Sequence, residues 1–347
     1  MTSAGLYTPV SATGPRTSAP AFGRLVRAEF RRLAARRFTR VIIGLGLIGY
    51  LIAIALIWRA HDRTGATDIA QATAQRDQII VQITNDIEQC QRQPASQGGQ
   101  NCGEAPTAEN FPIDQFLRTH PFRPEQVDDY ALAVGAATAM LGFLLAATFI
   151  GAEWSSKNLV SWLFWEPRRL RVMAAKLLAL LTSVLLLAAL AQVVWFGVAK
   201  TLIHYRGLPV STLGPHAAHF WSHVVDAQLR AAPLVLVTAL IGFSLASLMR
   251  NSAAALGVAF VYFAVVENVI RAVNPEWQPY LFTTNLGAWI ADSGITVYGK
   301  SVFDPQQGYV LPREIHISNL HGAVTLLIFA GIATVAALTA FARRDIS

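Results

Sequence analysis

A handful of side chains in this sequence are placed where they could do chemistry. His219, His223 and Asp226 fall at i, i+4 and i+7, so one helical face would carry all three, with His216 a turn earlier. That spacing can bind Zn²⁺. However, no second segment supplies further ligands, and the same rings beside Trp221 suit an interfacial helix over 217–228. The reading is the interfacial one, with no metal. Glu267 is the one acid inside an apolar run. An intramembrane acid is a functional candidate, and Arg271 at i+4 offers it a local ion pair. A pair, or a cavity-lining or proton-relay group, both stay open. Cys90 and Cys102 are the two cysteines. They fall in a loop assigned outside the membrane, where an oxidising compartment makes a disulfide the default.

Gly294-Ile-Thr-Val-Tyr-Gly-Lys-Ser301 satisfies the nucleotide-binding pattern G-x-x-x-x-G-K-[ST] letter for letter. A working P-loop follows a strand and opens a helix whose N–H groups hold the phosphates. Here Asp304-Pro305 stops any helix within a turn, and no second nucleotide motif accompanies it. The match is rejected.

The elements that carry these groups are mostly apolar. The chain of 347 residues is 53% hydrophobic and 14% charged, where a soluble chain has about 25% charged residues. Mean hydropathy is +0.41. Six runs approach or exceed the ~20 residues that cross a bilayer as a helix: 41–58, 130–152, 172–199, 231–249, 252–270 and 320–342. The expected class is all-α, polytopic, with six transmembrane helices. Net charge is +7, and sixteen of the 28 basic residues but only four of the 21 acids fall in the segments holding both termini. That bias puts the termini in the cytoplasm. The charge faces anionic lipid, and nucleic acid is not expected as a partner.

Residues 1–20 are rich in Ser, Thr, Pro and Gly and read as a disordered tail. Over 21–40, Phe22, Leu25, Val26, Phe30 and Leu33 share a stripe while Arg24, Arg27 and Arg31 point away. This is an amphipathic helix in the interface plane, with arginines on lipid phosphates. The loop 59–129 holds a second amphipathic helix from Asp68 to Gln93, expected to continue the first span outward. Residues 277–292 are semi-apolar but too short to span, and read as a re-entrant segment.

Between the second and third runs lies a charged turn. Glu153 and Lys157 stand at i,i+4 and can pair. Leu159, Val160, Leu163 and Phe164 form a short amphipathic turn, with Trp154, Trp162 and Trp165 suited to headgroups. Pro167 ends it, and Arg168, Arg169 and a snorkelling Lys176 open the next span. Glu153, Ser155/Ser156, an apolar turn, Pro167-Arg168-Arg169 and Lys176, with the basic-then-aspartate ending at Arg343-Arg344-Asp345, resemble the ABC-2 permease family, the membrane subunits of one class of ATP-driven exporters. Trp154-Ser155-Ser156 departs from the pattern, a Gly-Thr step being commoner there.

The resemblance implies a permease domain over 41–347, probing a cytoplasmic ATPase subunit through a coupling segment, 153–171, made of Glu153, Trp154, Ser155, Ser156, Lys157, Leu163, Glu166, Pro167 and Arg168. It makes the helix of Phe22, Leu25, Phe30 and Arg31 an elbow helix. It also implies a second permease copy, with ATP and Mg²⁺ bound by the partner chain and no cofactor in this one. The second and fifth spans would line the path, with Thr138, Phe143, Phe149, Tyr262, Glu267 and Asn268 as lining residues. Their aromatic, apolar character suits an amphipathic or lipid-like cargo. The rival readings are an ion-coupled transporter using Glu267 and a membrane-anchored protein that binds a partner through the helix from Asp68 to Gln93.

Overall fold

The computed structural model describes residues 22–92, 102–104, 106–156, 168–304 and 309–343. The expected tail over 1–20 and most of the coupling segment, including Lys157, Leu163, Glu166 and Pro167, lie outside the described residues. The chain is an all-α membrane protein in its spanning part. Six helices among the described residues are long and apolar enough to cross a membrane.

In chain order, α1 (Phe22–Ala35) meets α2 (Arg37–Ala60) at Arg36, whose extended backbone breaks the helix. Next come α3 (Ala66–Gln91), α4 (Gln126–Ser155), α5 (Arg169–Arg206) and α6 (Phe220–Met249). The fifth span runs as α7 (Ser252–Val261), a π-helical turn (Tyr262–Val266) and α8 (Glu267–Val273). A short α9 (Phe282–Ile290), strands β1 (Ile295–Asp304) and β2 (Tyr309–Ile317), and the last span α10 (Asn319–Arg343) complete it.

The α4–α6 pair is the centre of the bundle. Both helices are half buried over their apolar windows, whereas α2 is 6% buried there. Small residues set this closeness. A Cβ on Gly242 would stand 2.6 Å from the carbonyl oxygen of Phe143, and one on Gly135 would meet the Ala231 methyl at 2.6 Å. Phe149, Ile150, Leu180, Leu234 and Phe243 fill the core around this seam.

Both ends of the described chain reach one end of the bundle. There α1 lies against α5, and Phe341 packs edge-on to Trp154 with ring centroids 5.8 Å apart. The opposite end carries α3, α9 and the two strands.

Several expectations need correction. Helix α3 does not continue the first span. The chain bends through 61–65, where His61 accepts from Arg206 through its carbonyl at 2.9 Å, and α3 restarts with Asp68 accepting from the Gly65 N–H at 2.9 Å. Residues 217–228 are not a separate interfacial helix, because from Phe220 they form the first turns of the fourth span. Pro233 sits inside α6, a position that spanning helices tolerate where neighbours satisfy the freed carbonyl. The re-entrant stretch is two pieces, a 3₁₀ turn (Pro275–Tyr280) followed by α9.

The all-α expectation also missed an antiparallel hairpin. Ile295 pairs with Ile317 and Asp304 with Tyr309, with a register shift between Tyr298 and Ser301. Glu276 accepts from the Lys300 N–H at 3.0 Å inside that shift, and Gln278 donates to the Tyr298 carbonyl at 2.8 Å. The P-loop look-alike is β1 itself. Its Gly294 turns into the strand at φ +82° and β2 follows, so residues 295–298 and Ser301 are strand-paired and the Lys300 N–H is held by Glu276. Cys90 and Cys102 are bonded to each other, with Cα atoms 5.7 Å apart.

Candidate functional site

The site that the structure assembles is a buried knot of charge at the α1 end of the bundle. Lys176, about two turns past the start of α5, is wholly buried. A buried ammonium must be paired. Its Nζ donates to Glu29 Oε2 at 2.8 Å and stands 2.7 Å from Glu153 Oε2. The second contact is off hydrogen-bond geometry and acts as a bare ion pair. From α1's far end, Arg36 donates to Glu153 Oε1 and to the Phe149 carbonyl, both at 2.6 Å. Its guanidinium lies 4.8 Å from the Phe149 ring centroid. Arg32 stands 3.5 Å from the other oxygen of Glu29.

Each side chain arrives there for a local reason. On α1, Leu25, Glu29 and Leu33 are the buried positions, at helical steps of four. Glu29 therefore sits in the middle of what sequence reads as an apolar stripe. Phe22 and Arg31 are exposed and Phe30 is half-buried, so α1 docks on a narrower face than predicted. On α4, Phe149 and Glu153 share a face one turn apart, and both are buried. The backbone break at Arg36 aims its side chain back across α4.

Two expectations about this region are overturned. Lys176 does not snorkel to the surface, because two carboxylates reach it inside the bundle. Glu153 holds Arg36 and Lys176 on its two oxygens, and Lys157, its expected partner, lies outside the described residues. Trp154 is not a headgroup residue. It packs between Phe341 and the Arg250 guanidinium, 4.9 Å from its ring. Ser155 and Ser156 are exposed, each with its hydroxyl on the Ala152 carbonyl, and they close α4. Arg168 precedes α5, and its carbonyl accepts from the Arg171 and Val172 N–H groups. The residues that sequence reasoning missed are Glu29 and Arg36. One signal was present: Glu29 is the lone acid among eight arginines ahead of the first span.

The expected lining residues do not converge on a cavity. Thr138 is buried and spends its hydroxyl on the Val134 and Gly135 carbonyls of its own helix. Phe143 backs onto Gly242, and Phe149 belongs to the charge knot. Tyr262 lies edge-on to Phe263. Asn268 is exposed, donating to the Phe263 and Ala264 carbonyls. An open groove exists elsewhere, along α10 at Tyr280, His321, Val324 and Ile328.

Glu267 is fully buried and serves as a cap. The π-helical turn before it shifts the helix register, as such turns do at functional or strained points. The carboxylate then faces the start of α9. Oε1 accepts from the Thr283 N–H at 3.1 Å, Oε2 meets the Thr283 hydroxyl, and Arg271 approaches Oε2 at 3.2 Å. A carboxylate at a helix N-terminus is favourable. Replacing Glu267 by glutamine should therefore lower stability by ~1–3 kcal/mol, the cost of an impaired buried charge-assisted contact. Thermal unfolding in lipid checks it. The companion expectation is that any transport keeps its pH profile, and a profile flattened at unchanged stability would revive the relay reading.

The histidine set does not form a metal centre. No group of three or more His, Cys, Asp or Glu suited to a metal ion occurs among the described residues. His223 faces carboxylates of other elements, Asp128 and Asp292. Asp226 lies exposed on α6. No family model and no curated protein matches this chain.

Proposed function

We propose that this chain is the transmembrane permease subunit of an ATP-binding-cassette exporter. It moves an amphipathic or lipid-like substrate out of the cytoplasm and is powered by a separate ATPase subunit that binds ATP and Mg²⁺. A second permease copy completes the path. The end bearing α1 faces the cytoplasm, and the turn 153–171 with α1 meets the ATPase.

One observation carries this reading. The knot Glu29–Lys176–Glu153–Arg36 ties α1 rigidly to the ends of the second and third spans, at the mouth of the turn that joins them. A force on α1 or on that turn reaches both spans together, because a buried ion network resists separation. Closure of a motor beneath it would thus tilt α4 and α5 as one body. Ligand affinity can differ between the two bundle states so selected. The rival ion-coupled reading lacks such support, since Glu267 is occupied as a helix cap.

Gentle purification from native membranes with intact lipid tests the proposal. An ATPase chain in stoichiometric amount is the expected result, together with ATP hydrolysis that responds to lipid-like compounds. Repeated recovery of the permease alone, with its fold intact, would contradict it.

A further inference from the structure

At the end of the bundle away from α1, the His223 imidazole lies between two carboxylates. Nδ1 is 3.0 Å from Asp128 Oδ2, in the first turn of α4. Nε2 is 3.1 Å from Asp292 Oδ2, in the link between α9 and β1. A neutral imidazole has one N–H and one lone pair. Either tautomer would turn its lone pair against a carboxylate oxygen. While both carboxylates are ionised, only the doubly protonated ring satisfies both contacts.

We propose that His223 is a pH-operated clasp, which when protonated fastens the base of the β-hairpin to α4 and α6 and loosens it when the proton leaves. The charged groups facing the ring are Asp128 on α4, Asp292 on the link and Arg230 on α6, which pairs with Asp292 Oδ1. Arg230's hydrogen bond holds the Asp292 carboxyl below its ordinary range, so that carboxylate stays charged. Asp128 is fixed by the α4–α6 packing, whereas Asp292 sits on a link held otherwise by Arg230 and by Asn319, which donates to Ala291 O. The link is the part that moves. Half the imidazole surface is exposed, so protons exchange with solvent. The contacts are complete while the ring carries both protons and are lost when one of them leaves. The inference stands apart from the permease reading.

Hydrogen exchange of the full chain in lipid nanodiscs, from about pH 5.5 to about pH 8 and corrected for intrinsic rates, tests it. Amides of 291–296 should exchange about tenfold faster at the upper end, the effect of losing one charge-assisted contact. In His223→Gln, whose amide offers one donor face and one acceptor face at every pH, the fast rate should hold throughout. In Asp292→Asn, which can pair with either ring state, the step should vanish with the link held. A flat wild-type profile, or a step that survives in both variants, overturns the clasp.

Discussion

Lys176→Met is expected to lower stability by about 3–5 kcal/mol, the cost of breaking a buried ion network and stranding a charge. The side chain is wholly buried and serves two carboxylates from two other helices. Glu153 would keep Arg36, but Glu29, itself 2% exposed, would keep only the longer contact from Arg32. Removing that stranded charge as well should help. The double variant Lys176→Met with Glu29→Gln is expected to recover at least half of the loss, a coupling that a double-mutant cycle reads directly. Thermal unfolding in nanodiscs gives the stability. Protease cutting between α1 and α2 reports whether α1 has come away. Full stability in Lys176→Met would mean that the network is ornamental.

Gly242→Val is expected to disrupt the bundle by ~3 kcal/mol or more, the upper end of overpacking costs. The first added carbon would press on the backbone of Phe143, which cannot rotate aside. Gly257→Val supplies the comparison. A Cβ there meets nothing within 4 Å, and on the exposed face of α7 it should change stability little. Equal effects at the two positions would show that α4 and α6 are not in close contact.

How much of this could be read from the residues differs by element. The six spans stand out because hydrocarbon demands long apolar runs. Their ends do not, since composition marks the lipid and not the helix. Lys200–Arg206 and Phe220–Arg230 stay helical beyond the apolar core because nothing in their sequence breaks them. The hairpin was legible in principle: β-branched and aromatic residues flank the sequence Pro305-Gln-Gln-Gly308. The register shift of the π-helical turn at Tyr262–Val266 leaves no local signature, yet it decides that Glu267 looks toward α9. The charge knot was the least legible. Helical spacing discloses partners three or four residues apart, but Lys176 and Glu29 are 147 residues apart in sequence. Glu153 stands out in the sequence, but Lys176 and Arg36, which hold it, lie far from it along the chain.

The account turns on which side of the membrane the charge knot faces. Single cysteines at Ser156, beside the knot, and at Ser301, on β1, are both exposed positions, and the native cysteines are joined to each other. In intact cells a membrane-impermeant maleimide is predicted to label Ser301→Cys and to spare Ser156→Cys until the cells are permeabilised. Labelling of Ser156→Cys in intact cells, with Ser301→Cys protected, would put the knot beyond reach of any cytoplasmic motor and contradict the account.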